Sequence, residues 1–189
     1  MDKVGIWNIA LALVAERRAL SPDDTATGAQ LCADHYDAAR DAVLAARPWS
    51  FAISRLSIAA AGAAPTWGPT KAFDLPASVL RVLSVTDGEY ELDEWRVEGR
   101  QIVATYDGPV KVRCVERIED ESRFSPGFVE TLAAYLAHLV ALPLTENRGL
   151  VLDLWKVYRD RLVDAAAVDG QQGRPRAVTA SWASEKRGA

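Results

Sequence analysis

The densest group of side chains that could do chemistry is a run of carboxylates in the middle of the chain. Asp87, Glu89, Glu91, Asp93 and Glu94 fall within eight residues. Carboxylate oxygens of this kind bind Ca²⁺, and two carboxylates at a suitable separation cleave glycosidic bonds. The spacing differs from that of an EF-hand loop, and Glu89 and Glu91 alternate as residues on an exposed strand do. The pattern favours a solvated hairpin over a catalytic or metal site.

The other reactive residue types form no catalytic pattern. The sequence contains no phosphate-binding loop, no dinucleotide fingerprint and no Gly-x-Ser-x-Gly motif. His35 and His138 lie far apart in alanine-rich helical segments, which favours structural roles, although pairing across a bundle stays open. Cys32 and Cys114 are too few for a disulfide scaffold and are expected to be buried. We therefore predict no catalytic, cofactor-binding or metal-binding residue, and no enzyme.

Two of the six tryptophans lack an evident core to join. Trp67 lies in a loop rich in Gly, Ala and Pro, and Trp182 lies in the C-terminal segment. The other four lie at positions that fit core or interface packing. Aromatic side chains in irregular segments more often contact partners than take part in catalysis. Trp67 and Trp182 are therefore candidate contact residues.

Apolar periodicity predicts two pairs of helices. The first pair covers residues 4–20 and then a segment ending at Ala46, with Ser21 or Asp24 as the intervening cap. The second pair begins at Ser125-Pro126, breaks at Pro143 and continues over residues 148–168 with Asn147 as cap. Apolar residues surround most of the third helix, which predicts that it is central in a bundle.

A region without helical period separates the two pairs. Alternating residues predict strands over 79–85, 94–97, 101–106 and 110–117. Asp87-Gly88, Glu98-Gly99 and Asp107-Gly108 lie between them as hairpin turn signals. Residues 51–117 are therefore predicted to form a small antiparallel β subdomain inserted between the helices.

Composition excludes several classes of protein. The 189 residues are 49% hydrophobic, which excludes global disorder, and the net charge of −4 argues against a surface built throughout to grip nucleic acid. No uncharged run reaches the ~18–20 residues of a membrane span, and the apolar N-terminus lacks the basic region and cleavage site of a signal peptide.

The last segment, residues 173–189, differs from the rest in charge. Arg174, Arg176, Lys186 and Arg187 against one carboxylate give it +3, which leaves −7 on residues 1–173. It has no periodic apolar face, so it is expected to be extended alone and to order on a partner.

The predicted fold is mainly α (α+β), a bundle of about four helices with the inserted β subdomain and an extended C-terminal arm. Its parts are residues 1–50, 51–117, 118–172 and 173–189.

Three stretches carry a resemblance to a known family. Residues 40–52 read Arg-Asp-Ala-Val-Leu-Ala-Ala-Arg-Pro-Trp-Ser-Phe-Ala, residues 73–85 begin Phe-Asp-Leu-Pro, and residues 124–145 begin Phe-Ser-Pro-Gly-Phe. Together with the order of elements over residues 4–172, they resemble the tail tubular protein A family, the head-to-tail adaptors (connector or head-completion proteins) of tailed bacteriophages.

The resemblance implies a structural, non-catalytic protein of the virion neck, made in the bacterial cytoplasm. Such adaptors form a twelve-subunit ring under the portal protein, join capsid to a tail nozzle or stopper, and let DNA pass through the lumen without specific binding. It implies portal binding by an arm carrying Arg174, Arg176, Trp182, Lys186 and Arg187. An acidic body suits such a passage, because cationic walls would hold phosphates.

Trp67, Glu89 and Glu91 are then expected to contact a neighbouring subunit or the tail, with no membrane or cofactor involved. Two alternatives stay open: an acidic helical binding or regulatory module, and a cell-wall glycoside hydrolase using the carboxylates of residues 87–94. No motif here carries over the wall-cleaving activity discussed for a relative of the family.

Overall fold

The computed structural model describes residues 1–61, 63 and 65–172, and this part of the chain has the predicted α+β fold. The helices are α1 (Lys3–Leu13), α2 (Thr27–Ala46), α3 (Pro126–Thr145) and α4 (Arg148–Gly170). The strands are β1 (Ile53–Ile58), β2 (Lys71–Asp74), β3 (Val79–Thr86), β4 (Trp95–Glu98), β5 (Gln101–Ala104) and β6 (Val110–Glu116). Short 3₁₀ turns cover Ser50–Ala52 and Glu121–Arg123. The predicted C-terminal arm lies outside the described residues.

Helix α3 is the centre of the bundle and packs against α1, α2 and α4. The Ser125 hydroxyl accepts the N–H of Phe128, and Pro126 occupies the first turn, as the sequence predicts. By length and composition α3 could cross a membrane, but more than half of its most apolar window is buried within the protein. Most of its large apolar side chains are therefore packed within the protein, although Leu142 near its end is exposed.

The predicted end of this helix at Pro143 is wrong by two residues. Helix α3 continues to Thr145, and Glu146 then takes a left-handed conformation with φ of 53°. A proline removes one backbone donor, and near the end of a helix that loss affects only one hydrogen bond. The Thr145 hydroxyl and the Glu146 N–H donate to the carbonyls of Ala141 and Leu142 and so complete the last turn.

The first helix is shorter than its periodicity predicts, because its C-terminal part is a loop. Helix α1 ends at Leu13, and Ala15 has a left-handed φ of 57°. Neither Ser21 nor Asp24 caps α2, which begins at Thr27. The Asp24 carboxylate instead accepts the N–H groups of Leu20 and Ala26 within the loop, which lowers its pKa.

Six strands form two three-stranded antiparallel sheets, where the sequence predicts four. The first sheet has the order β1-β6-β3 and the second the order β2-β5-β4. The sheets share one core, to which Phe73 and Ile102 contribute from the second sheet and Val85 and Val112 from the first. Glu98-Gly99 joins the paired strands β4 and β5, and Asp87-Gly88 lies in a tight hairpin in which Thr86 pairs with Glu91, so both turns are as predicted. Asp107-Gly108 lies in a connection between the sheets, so its prediction as a hairpin turn is wrong.

An aromatic cluster forms where the chain leaves the helices for the sheets and where it returns. Trp49, Phe51, Phe124 and Phe128 have ring centroids 4.7 to 6.3 Å apart, mostly in edge-to-face or tilted arrangements. Such pairs add about 0.5–1.5 kcal/mol each beyond the burial of their area. We call these four residues the junction cluster; they hold both ends of the β subdomain on α3.

Polar contacts reinforce the same junction. The Trp49 indole N–H donates to the carbonyl of Val43 at 2.9 Å. The Arg117 guanidinium, just beyond β6, donates to the carboxylate of Asp41 on α2 at 2.7 Å. The N–H and hydroxyl of Ser50 both donate to the carboxylate of Asp169, which attaches the junction to the end of α4.

Replacing Phe128 by alanine tests the junction cluster. Phe128 is fully buried and contacts the other three rings, so Phe128→Ala should lower the free energy of unfolding by about 3–5 kcal/mol. Urea unfolding followed by circular dichroism measures the change. The control Leu20→Ala, at an exposed loop residue, should stay within about 0.5 kcal/mol of the parent protein. Equal stability of the two variants would contradict the proposed role of the cluster.

Candidate interaction surfaces

Three connections between the two sheets meet at one end of the β subdomain. Strands β2 and β4 both begin opposite Ala104, the last residue of β5. Strands β1 and β3 both end beside the start of β6, where Ile58 pairs with Val110 and Thr86 with Lys111. The connections that follow β1, β3 and β5 therefore start and finish at the same end, which we call the distal end; their described residues are 59–61, 63, 65–70, 87–94 and 105–109. The opposite end faces the helices, since Val115 joins their core and Arg81 bonds the last carbonyls of α2.

The acidic hairpin over residues 87–94 forms part of the distal end. Glu89 and Glu91 are exposed, as predicted, and Tyr90 between them is 68% exposed. The Asp87 carboxylate accepts the N–H groups of Glu89 and Tyr90, both at 2.7 Å. These backbone donors lower the pKa of Asp87 from its ordinary value of 3.8. A glycosidase acid needs the opposite shift, so the geometry of Asp87 gives no support to a hydrolase.

Trp67 lies in the neighbouring connection and is 85% exposed. Its loop lies over the second sheet, where a shallow cavity is lined by Trp67 and by Arg96, Glu98 and Gln101 of β4 and β5. Trp67 therefore lies along the second sheet toward the β4–β5 turn, whereas Glu89 and Glu91 lie in the hairpin at the distal end, so the three predicted contact residues share the β subdomain but come from separate parts of it. The predicted arm residues Arg174, Arg176, Trp182, Lys186 and Arg187 lie outside the described residues.

A second surface, not predicted from the sequence, lies on α4. Leu152 and Val163 are both well exposed, and they lie on one side of α4 because eleven residues make three helical turns. Trp155, 40% exposed, borders them. We call these three residues the α4 outer face. The signal was present in the sequence, since Leu152 and Val163 fall outside the buried stripe that contains Leu154 and Tyr158.

Aromatic side chains between α3 and α4 support this surface. Tyr135, His138, Trp155 and Tyr158 have ring centroids 4.8 to 6.4 Å apart. His138 Nδ1 lies 3.0 Å from the carbonyl oxygen of Val151, which gives the ring a structural partner on α4. The stacked rings fix Trp155 while leaving part of it exposed. Preorganised aromatic side chains of this kind are typical of protein interfaces.

The remaining reactive residues are positioned by packing. Cys32 and Cys114 are free thiols and both are buried; burial raises the pKa of Cys32 to about 12 and also raises that of Cys114. His35 lies half-buried on α2. Over the described ranges, no group of three His, Cys, Asp or Glu side chains is placed to hold a metal ion.

Comparison with known proteins adds no family assignment. No protein-family model matches this chain, and no curated protein matches it significantly. The fold defines an α+β protein in which a two-sheet subdomain projects from a helical bundle, with exposed aromatic side chains on both parts.

A pH titration tests the hairpin geometry. The Asp87 carboxylate should hold the N–H groups of Glu89 and Tyr90 at neutral pH and release them as the pH falls through its lowered pKa, below 3.8. The amide NMR shifts of Glu89 and Tyr90 should move together with that midpoint. Asp87→Ala should abolish the transition, whereas Asp93→Ala should not. A midpoint at or above the ordinary value would contradict the hydrogen-bonded turn.

Proposed function

We propose that the protein is a bacteriophage head-to-tail adaptor, a structural subunit of a ring between the portal and the tail. The observation that carries the proposal is the presence of two separate exposed apolar surfaces. One is on the β subdomain, where Trp67 and Tyr90 are exposed, and the other is the α4 outer face. A ring subunit needs two different surfaces, because each copy contacts its neighbours head to tail.

The placement of the family-like sequence stretches gives independent support. Two of the three stretches, 40–52 and 124–145, contain Trp49, Phe51, Phe124 and Phe128, the whole junction cluster. The third, 73–85, covers the end of β2 and most of β3. The resemblance therefore falls on residues that join the bundle to the β subdomain, and these set the relative position of the two exposed surfaces.

The proposal includes the location and partners that the resemblance implies. The ring, of about twelve copies by that resemblance, lies in the virion neck, and each subunit is made in the bacterial cytoplasm. The portal protein binds on one side, with the arm beyond residue 173 as the contact, and a tail nozzle or stopper binds on the other. DNA passes through the lumen without sequence-specific binding, and the subunit is not an enzyme.

Substitutions on the α4 outer face test the ring. Leu152→Asp combined with Val163→Asp places two charges at an apolar subunit contact and should abolish ring formation on portal oligomers. Both side chains are exposed, so the subunit should still fold. Negative-stain electron microscopy of portal mixed with the full chain counts particles that carry a ring.

Leu20→Asp is the matched control, because it charges an exposed leucine outside the α4 outer face. It should leave ring formation unchanged. If the parent protein forms no ring on portals and is absent from the neck of virions, the adaptor proposal fails. If the double variant forms rings as the parent does, the α4 outer face is not a subunit contact.

Removing residues 174–189 tests the arm. The deletion takes away four cations and Trp182, so portal affinity should fall at least tenfold. The urea midpoint should not change, because the helices and sheets described above end at Gly170. Surface plasmon resonance on immobilised portal measures the affinity. Unchanged affinity after truncation would exclude the arm as the portal contact.

A further inference from the structure

The outer face of the first sheet carries three cations on neighbouring strands. Arg55 of β1 pairs directly with Arg113 of β6, and Lys111 lies two residues from Arg113 on the same face. They line an open groove of about 530 Å³ together with Ser57, Ser84 and Thr86. We call Arg55, Lys111 and Arg113 the cationic face. No local pattern in the sequence indicates this face, since Arg55 and Arg113 are 58 residues apart in the chain.

The cationic face is open to solvent because the helices cover only part of the outer face of the first sheet. Along β6, Val110, Val112 and Cys114 point into the core between the sheets, while Lys111, Arg113 and Val115 point outward. Val115 is covered by the helical core, but Lys111 and Arg113 lie beyond its reach and are exposed. The face is therefore the uncovered half of a sheet whose other half is buried.

The charges of this face are not balanced within the described part of the chain. No carboxylate lies within 4.0 Å of the Arg55, Lys111 or Arg113 nitrogens there, whereas Lys71 and Arg117 of the same subdomain do form ion pairs. Like charges directly opposite one another in an antiparallel pair destabilise a sheet. The repulsion between Arg55 and Arg113 is therefore relieved when anions bind along this face.

The remaining groups of the groove indicate which anion fits. Ser57, Ser84 and Thr86 supply hydroxyl donors beside the cations, and the Ser57 hydroxyl already contacts the Lys111 ammonium at 2.9 Å. No aromatic side chain of the described residues lines the groove, so bases have nothing to stack on. Arginine, lysine and hydroxyl donors without aromatic rings are the pattern of phosphate contacts that carry no sequence information.

We propose that the cationic face contacts the phosphodiester backbone of DNA. The cations lie side by side across two strands of an open face instead of converging on one point, which suits successive phosphates of a polymer better than a single free ion. The acidic hairpin begins beside the groove, where Gly88 lines it, and its exposed Glu89 and Glu91 repel a longer polyanion. The contact is thus limited to about three phosphates and is weak, sequence-independent and salt-sensitive.

This inference does not depend on the adaptor proposal, because it concerns the charges of one subunit. A DNA contact is compatible with the net negative charge of residues 1–173, since the acidic hairpin restricts the contact to a small area. A surface of this size can touch DNA without retaining it at physiological salt.

The salt dependence of DNA binding tests the proposal. Fluorescence anisotropy of a labelled 20-base-pair duplex is measured with the full chain at several KCl concentrations from 20 mM upward. The basic arm can bind DNA too, so the informative quantity is the change in the slope of log K against log salt. Arg113→Gln should reduce the slope by about 0.9, and Arg55→Gln with Arg113→Gln by about 1.8.

Arg159→Gln is the matched control, because Arg159 is an exposed arginine on α4 away from the sheet. It should leave the slope unchanged, and the urea midpoints of all variants should be no lower than that of the parent chain. No binding at 20 mM KCl, or slopes unaffected by the double substitution, overturns the proposal. A second outcome also overturns the proposal: the chain self-associates in a salt-sensitive way, and Arg113→Gln abolishes this self-association but does not change DNA binding. The face would then bind carboxylates of another copy of the chain.

Discussion

The junction cluster of Trp49, Phe51, Phe124 and Phe128 is the interaction on which the rest of the structure depends. These rings lie where the chain enters and leaves the β subdomain, and Phe128 also belongs to the central helix. Closing a loop of some 70 residues costs chain entropy, and edge-to-face aromatic packing together with burial offsets that cost at one place. Together with the contacts of Arg81 and Arg117 to α2, the cluster fixes the position of the two sheets on the bundle.

Once the junction is fixed, the distribution of charge follows from what the helices cover. The helices bury the outer face of the first sheet around Val115 and leave Lys111 and Arg113 in solvent. The connections at the distal end carry Glu89 and Glu91, exposed beside that cationic face. The described part of the chain therefore presents both signs of charge, together with exposed aromatic side chains on the β subdomain and on α4.

Much of the fold could be predicted because the signals are local. Ser125-Pro126 and Asn147 cap their helices as predicted, and the strands predicted over 79–85 and 110–117 each lie within one residue of the observed bounds. The errors arise where a tertiary contact competes with a local pattern. Ala19 bonds the Asn8 amide and is buried in a loop, so the predicted first helix stops at Leu13. Strands β1 and β2 were not predicted, because β1 has no buried residue and the four-residue β2 has its two buried residues, Ala72 and Phe73, next to each other.

The candidate surfaces, like the fold, could be predicted from the sequence only in part. The sequence by itself determined that Trp67, Glu89 and Glu91 would be exposed, because charge, loop composition and the absence of an apolar period are properties of short segments. Only the tertiary structure decided that Arg55 lies opposite Arg113, and that the connections holding Trp67 and Glu89 start and finish at one end of the subdomain. Strand register and sheet order depend on pairing between distant residues, which no local periodicity specifies. Helices and caps are set within a few residues, but a surface assembled from separate strands exists only after those strands have paired.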